Sequence, residues 1–233
     1  MSAAVVGVGL IYSALVLNFY FESGGYIKFY TPSYSLWKTT PVLFLSIVSA
    51  VYSRIAGNAT FIKVAAGLLF GAIGDYLIGL SEDGIVTGAI AFGIGHIFYL
   101  LCFYKNFQIN VPFALIMTIW GGFASYATLV PMLSQHPIPV FILSIYSILL
   151  MFNVCLAVSQ HLNRPTTTFD SAVSKRALGF FLFFISDSLL IFHHTGFKIP
   201  YAECLILNSY FAAQFFIFQS FVVSELKSKK KIN

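Results

Sequence analysis

Two aspartates, Asp75 and Asp187, lie deep within apolar stretches of the chain, whereas the other acidic residues fall near the ends of such stretches or outside them. A lone carboxyl group at the centre of a bilayer costs on the order of 2.5–3.5 kcal/mol, so each aspartate needs a partner and a place inside a helix bundle. Buried acids of this kind carry protons, bind cations or act as an acid/base pair, and some only join helices through hydrogen bonds. Both aspartates are therefore candidate functional residues.

Asp75 belongs to a stripe of small residues. Gly67, Gly71, Asp75 and Gly79 recur at every fourth position, which places them on one face of a helix. Small residues let membrane helices approach each other closely. The pattern predicts that the Asp75 carboxyl group points into the bundle.

Four further polar residues accompany the two aspartates, and one of them, His96, is expected at a similar depth. His96 falls near the middle of a predicted helix, and Tyr210 and Gln214 share one stripe of the last helix. Lys38 stands at the start of the second predicted helix and can reach toward the same layer. We expect a polar cluster between helices, with ordinary interhelical hydrogen bonding as the competing interpretation for His96, Tyr210 and Gln214.

Several common catalytic motifs do not occur. The sequence has no P-loop, H-E-x-x-H, C-x-x-C or G-x-S-x-G motif, so a serine hydrolase has little support. A zinc site from His96, His193, His194 and an aspartate is possible by residue type, but the spacing is not diagnostic and we predict no metal. His193 and His194 are expected to be solvated at the membrane interface, and the three cysteines to pack as small apolar residues.

The composition places these residues in a membrane. Hydrophobic residues make up 58% of the 233-residue chain and charged residues 9%, against about 25% charged in soluble domains. Residues 106–163 contain no Asp, Glu, Lys or Arg, although one helical crossing needs only about 20 residues. Long apolar runs without alternating polarity favour helices over a barrel. The sequence therefore predicts an all-α, polytopic membrane helix bundle.

We predict eight transmembrane helices in a single domain over residues 1–226, followed by a basic tail at 227–233. The second helix is short between Lys38 and Arg54, and it spans the bilayer only if both side chains extend toward the headgroups. The predicted helices cover about 3–20, 40–54, 61–80, 85–104, 111–131, 138–160, 177–195 and 202–223.

The basic residues predict the orientation. Ten of the 13 Lys and Arg residues fall on the side of the two termini, and three fall on the other side. The positive-inside rule then predicts that both termini are cytosolic. The net charge of +5 is thus a signal of topology rather than of nucleic-acid binding.

Two shorter patterns concern localisation and internal symmetry. The chain ends in Lys230-Lys231-Ile232-Asn233, which fits a dilysine signal for retrieval to the endoplasmic reticulum, with an ordinary basic tail as the alternative. The segment around Asp75 is similar to that around Asp187, 112 positions later. This likeness favours two parallel four-helix repeats, with chance similarity as the competing explanation.

The order of these motifs resembles that of the YhhN-like lysoplasmalogenases over about residues 36–222. Thr40 departs from the family pattern, in which an aliphatic residue precedes the proline, and Asn208 stands where threonine is common. The matching segments are Lys38-Thr39-Thr40-Pro41, Gly71–Leu77, Phe92–Tyr99, Ile185–Leu190 and Ser209–Gln214.

This resemblance implies a multi-pass membrane hydrolase that acts on a lysophospholipid substrate in the bilayer. The enzymes of this family cleave the vinyl ether bond of lysoplasmalogens to a fatty aldehyde and glycerophosphocholine or glycerophosphoethanolamine. The resemblance implies neither a cofactor nor a nucleic-acid partner.

Vinyl ether cleavage begins with protonation of the β-carbon, so the site needs one protonated acid and one anion. On the resemblance, Asp75 and Asp187 are this pair, in either order, because two carboxyl groups in one apolar site cannot both ionise easily. His96 would orient a carboxylate or relay a proton. Lys38 and Tyr210 would hold the phosphate or glycerol end of the substrate, and Gln214 would position water.

Two other classes of protein also place aspartates inside a membrane. A two-repeat transporter that couples small-molecule movement to protons or cations explains Asp75 and Asp187 equally well from physics alone. An intramembrane aspartyl protease also uses two such residues, but Ile73-Gly74 and Ile185-Ser186 do not fully match that class.

Overall fold

The computed structural model describes residues 3–165 and 170–232, with side chains over 5–105, 107–165 and 170–226. Within these ranges the fold is all-α, as predicted, and eight helices are long and apolar enough to cross a membrane. Short 3-10 helices follow α4 at Tyr104–Asn106 and α5 at Val130–Met132. The eight α-helices are α1 (Ala3–Glu22), α2 (Pro32–Ala56), α3 (Ala59–Leu80), α4 (Gly84–Phe103), α5 (Val111–Thr128), α6 (Pro137–Leu162), α7 (Ser171–His194) and α8 (Ala202–Ile232).

Three helix ends lie well outside the predicted limits. The predicted start of the second helix at residue 40 is wrong because Thr31 caps α2, its hydroxyl accepting a hydrogen bond from the Tyr34 amide, and Pro32 suits the first turn. The predicted start of the seventh helix at residue 177 is wrong for a similar reason, since Asp170 caps α7. The end of α8 at Ile232 lies beyond the predicted residue 223, because a basic segment continues the helix without a breaker.

Pro41 lies inside α2 and cannot donate a backbone hydrogen bond to the Trp37 carbonyl. The hydroxyl of Thr40 donates to that carbonyl oxygen instead, at 2.8 Å. Thr40 therefore satisfies the acceptor that the proline frees. This contact accounts for a polar residue at the one position of the Lys-x-x-Pro element that departs from the family pattern.

The chain divides into two compact units, Met1–Phe98 and Tyr99–Asn233. In the first unit, α2 and α3 form a helical hairpin around Gly57 and Asn58. Their seam is small and polar: Ser46 donates to the Ala65 carbonyl at 2.7 Å and Thr39 to the Ala72 carbonyl at 3.4 Å.

The glycine at the far end of this seam allows the closest approach. A methyl group on Gly79 would lie 2.9 Å from the Ser35 Cα and 2.7 Å from its hydroxyl oxygen. Because glycine has no side chain, the α2 and α3 backbones can lie close together here, one turn before Lys38 on α2. Any larger residue at position 79 would require the two helices to move apart.

In the second unit, α7 and α8 pack in the same manner. A methyl group on Gly179 would lie 2.9 Å from the Ile217 amide nitrogen, and the Ser186 hydroxyl donates to the Ile206 carbonyl at 2.9 Å. The Phe183 and Tyr210 rings meet edge to face between these two points, with centroids 5.4 Å apart. The single-domain organisation, the repeats and the cytosolic termini stay predictions.

Candidate active site

Asp75 is paired with Lys38 inside the first unit. The lysine ammonium nitrogen lies 3.8 Å from the Asp75 Oδ1, and the two side chains are 8% and 1% exposed. Lys38 lies in the second turn of α2 and Asp75 in the penultimate turn of α3, so the hairpin brings them together. An ammonium group at this distance stabilises negative charge on the carboxyl group.

The predicted small-residue face of α3 is confirmed. Gly67, Gly71, Asp75 and Gly79 are all buried. The carboxyl group therefore lies on the packed face of its helix, where the glycines leave room for the neighbouring helices.

His96 is also in the first unit and is 1% exposed. It follows Gly95, where an added methyl group would come within 2.8 Å of the Gly67 carbonyl oxygen on α3. A second close approach joins Gly74 to the Phe92 ring at 2.6 Å. The histidine thus belongs to the part of α4 that packs closely on the Asp75 helix, but its role in orienting a carboxylate stays a prediction.

Asp187 lies in the second unit and accepts a hydrogen bond from the hydroxyl group of Tyr146 on α6. A hydroxyl donor directed at a carboxylate stabilises its negative charge. Both residues are partly buried rather than fully enclosed. Tyr146 therefore positions Asp187 from a neighbouring helix.

The depth of Asp187 along α7 differs from the expectation. The predicted helix over 177–195 places Asp187 about one residue past its middle, but α7 begins at Ser171. Asp187 therefore lies about 7 Å beyond the middle of its helix toward the C-terminus, and Asp75 lies about 8 Å beyond the middle of α3 in the same sense. The pairing of Asp75 with Asp187 stays a prediction.

Tyr210 and Gln214 are joined in a buried hydrogen-bond network with Tyr99. The Gln214 amide nitrogen donates to the Tyr210 hydroxyl oxygen at 3.1 Å, and the Tyr99 hydroxyl donates to Gln214 Oε1 at 2.9 Å. Gln214 is completely buried. The amide nitrogen and the amide oxygen of Gln214 each bond to a tyrosine. These two bonds fix the side chains of Tyr99 on α4 and Tyr210 on α8. The predicted roles in holding substrate and water stay predictions.

Histidines and cysteines show no metal-binding arrangement in the described part of the chain. No group of three or more His, Cys, Asp or Glu residues there could hold a metal ion. His193 and His194 are exposed in the last turn of α7, as expected for interfacial residues. Cys102, Cys155 and Cys204 are free thiols.

Two tyrosines belong to these clusters that the sequence does not single out. Tyr146 precedes Asp187 by 41 positions and lies in a helix that also carries many apolar residues. Tyr99 stands in a recognised segment, but nothing in its spacing indicates a bond to Gln214. The signal in the sequence that points to Tyr99 and Tyr146 is a general one: a tyrosine hydroxyl group that is buried needs a hydrogen-bond partner.

The eight apolar helices, the buried carboxyl group of Asp75 and the partly buried carboxyl group of Asp187 define a polytopic membrane protein with acidic groups within its helix packing. Comparison with known proteins specifies the family. The YhhN family matches residues 33–221, so the chain belongs to the YhhN family, as the order of its motifs predicts.

Two curated relatives carry the same name. The chain is 29% identical over 196 residues to lysoplasmalogenase TMEM86A of Bos taurus, covering 83% of this chain and 76% of the relative. It is 26% identical over 193 residues to lysoplasmalogenase TMEM86A of Homo sapiens, covering 82% and 78% of the two chains. No solved structure matches the chain.

Proposed function

We propose that this protein is a lysoplasmalogenase, a membrane hydrolase that cleaves the vinyl ether bond of a lysoplasmalogen. The observation that carries the proposal is the family match over residues 33–221, together with relatives named lysoplasmalogenase. The products are a fatty aldehyde and a glycerophospho-headgroup, either glycerophosphocholine or glycerophosphoethanolamine.

The reaction consumes one water molecule and, in net terms, places one proton on the β-carbon of the vinyl ether and one on the glycerol oxygen. A carboxylic acid protonates the β-carbon of the vinyl ether, and the π electrons of the double bond form the new C–H bond. The resulting oxocarbenium ion is stabilised by a nearby carboxylate and attacked by water, whose proton passes to that carboxylate. The second carboxyl group, now protonated, then gives its proton to the glycerol oxygen as the C–O bond of the hemiacetal breaks, and the hemiacetal hydroxyl group gives its proton to the first carboxylate. This step releases the aldehyde and a free glycerol hydroxyl and restores both carboxyl groups to their starting states.

Asp75 and Asp187 supply the acid and the anion of this scheme. Support comes from the charged or polar neighbour of each carboxyl group, Lys38 for Asp75 and Tyr146 for Asp187. Such neighbours hold a carboxyl group in a defined orientation and lower the cost of charge in an apolar bundle. His96 relays a proton or orients a carboxylate, while Tyr210 and Gln214 bind substrate and water.

The test is aldehyde release from a lysoplasmalogen by the purified full-length protein in detergent. Asp75→Asn and Asp187→Asn are each expected to lower kcat by about 10²- to 10⁴-fold, the usual contribution of general acid–base groups. Asp83→Asn is the matched control because Asp83 is exposed in the loop between α3 and α4. Full activity in both aspartate variants, with normal folding by size-exclusion chromatography, would refute the assignment.

A transporter of protons or cations is the alternative to the hydrolase, and a second assay distinguishes the two. In sealed proteoliposomes, proton or cation flux that depends on Asp75 and Asp187 without any aldehyde release would support a transporter. Aldehyde release without flux would support the hydrolase.

We further propose that the protein resides in the membrane of the endoplasmic reticulum, and the dilysine pattern of Lys230 and Lys231 supports this proposal. Asn233 and the side chains of Lys230 and Lys231 lie outside the described residues. Replacing Lys230 and Lys231 together by alanine is expected to move a tagged protein from the endoplasmic reticulum to later compartments. Replacing Lys227 and Lys229 is the control, and unchanged localisation of the first variant would remove the signal from consideration.

A further inference from the structure

A cavity of about 470 Å³ opens where α4 and α6 end and α7 begins. Its volume falls in the range of small-molecule sites. All of its lining residues belong to the second unit. They are Lys105, Phe107, Gln108, Gln160, Asn163, Arg164, Pro165 and Arg176.

The lining is strongly cationic. Lys105, Arg164 and Arg176 contribute three positive charges, and no acidic residue is among the lining residues that the structure describes. Asp170 lies beside the cavity and pairs with Arg164, whose Nη1 is 2.8 Å from the Asp170 Oδ2. That carboxylate offsets one of the three charges, so the cavity keeps a positive surplus.

Arg176 is the cavity residue whose side chain is held most firmly by its surroundings. Its guanidinium carbon lies 5.0 Å from the Phe103 ring centroid and 5.9 Å from that of Phe221, so two aromatic rings hold the group in place. The Nε atom is buried and has no hydrogen-bond acceptor within the described part of the chain. A buried, charged donor of this kind gains strongly from an anionic acceptor.

Neutral donors and acceptors frame the same cavity. The Gln160 amide nitrogen donates to the Phe103 carbonyl oxygen at 3.1 Å, which ties the end of α6 to the end of α4. Asn163 accepts a hydrogen bond from Asn110 at 2.9 Å. These bonds fix the walls of the cavity, so the cations are presented on ordered helix ends.

We propose that this cavity binds a phosphate group at the face of the membrane, carried by a phospholipid headgroup or present as free phosphate. The planar guanidinium of Arg176 matches the geometry of phosphate oxygens, and Lys105 and Arg164 complete the positive surround. Basic pockets between helix ends are a recurrent way for membrane proteins to hold anionic headgroups.

This site is separate from the proposed reaction centre. Arg176 and Asp187 lie on the same helix, eleven residues apart, which corresponds to about 16 Å along the helix axis. The chain of atoms from the phosphate of a lysoplasmalogen to its vinyl ether is shorter than this separation, so the proposal assigns to the cavity a phosphate other than that of a substrate at Asp187. The cavity therefore binds a second phosphate group.

The experiment measures binding to the full-length protein in detergent micelles. One arm titrates inorganic phosphate against sodium chloride at matched ionic strength and follows the shift in unfolding temperature. The other arm measures retention of phosphatidic acid by native mass spectrometry, with phosphatidylcholine as the comparison lipid. Phosphate effects alone identify free phosphate as the ligand, whereas phosphatidic acid retention alone identifies a headgroup, and either result supports the site.

Arg176→Gln is expected to weaken this binding by about tenfold or more, because a hydrogen bond to a charged group is lost. Lys105→Gln serves as the second variant because Lys105 is exposed and its loss does not disturb packing. Arg54→Gln, an exposed arginine at the end of α2 outside the cavity, is the matched control. Binding that is absent in the wild type, or that is unchanged in both Arg176→Gln and Lys105→Gln, overturns the proposal.

Discussion

The Lys38 ammonium nitrogen lies 3.8 Å from Asp75 Oδ1, and both side chains are buried between α2 and α3. This pair joins the Lys-x-x-Pro element of one helix to the glycine stripe of the next. It also explains how a carboxyl group is tolerated in the packed interior of an apolar bundle, since its charge has a counter-ion from a neighbouring helix.

Replacing Lys38 by methionine is expected to lower the free energy of unfolding by on the order of 3 kcal/mol, because a buried carboxylate then loses its cation. Denaturant unfolding in detergent measures the change. The Asp75→Asn variant should tolerate the same replacement at much smaller cost, and Lys198→Met, at an exposed position, should have little effect. An equal loss from Lys38→Met with and without Asp75 would show that the pair contributes nothing.

Tyr146→Phe removes the hydroxyl group that donates to Asp187 while keeping the aromatic ring. Hydrogen bonds to charged groups contribute about 1.5–3 kcal/mol, so kcat for aldehyde release is expected to fall by about 10- to 150-fold. The KM should change little if the hydroxyl acts only through Asp187. Tyr126→Phe is the control because Tyr126 is exposed on α5, and wild-type kcat in Tyr146→Phe would exclude a positioning role for this hydroxyl.

Gln214→Leu leaves the hydroxyl groups of Tyr99 and Tyr210 without their amide partner. Each buried polar group that loses its partner costs about 1–3 kcal/mol, so the loss for the two hydroxyl groups together is expected to be about 2–6 kcal/mol. Thermal unfolding of the purified protein measures this loss. The exposed Gln135 provides the control substitution, Gln135→Leu, and equal stability of the two variants would contradict the network.

Gly79→Ala places a methyl group against the backbone of Ser35. Overpacking of this kind typically costs about 1–3 kcal/mol, and separation of α2 from α3 should also move Lys38 away from Asp75. Both the unfolding temperature and aldehyde release are therefore expected to fall. Gly122→Ala is the control, since no atom of the described residues lies within 4 Å of a methyl group there. A Gly79→Ala variant as stable as this control would argue against the close approach.

The sequence predicts the eight helices because a bilayer requires long, uninterrupted apolar segments, and charged residues mark most of their ends. It predicts the buried face of Asp75 because glycines at every fourth position lie along a single helix. Helix starts are harder to predict, since Thr31 and Asp170 cap their helices from positions beyond the apolar runs. A hydropathy pattern does not reveal such capping residues, because they are polar and lie outside the apolar runs.

Contacts between helices are less visible in the sequence. Tyr146 is one of 13 tyrosines, and its partner lies on the next helix. The basic residues around the cavity indicate the membrane topology and also form the proposed phosphate site. The sequence reveals only the first of these two roles. Lys105, Arg164 and Arg176 are separated by up to 71 positions, so only the packing of helix ends brings them together.

Because Thr40 donates a hydrogen bond to the Trp37 carbonyl, the effect of a substitution at residue 40 depends on whether Pro41 is present. Loss of the hydroxyl matters while the proline is present, and becomes nearly neutral once another residue restores the backbone donor. The two positions therefore form an epistatic pair. An evolving lineage can discard the proline before the threonine at low cost, whereas the reverse order passes through a destabilised intermediate.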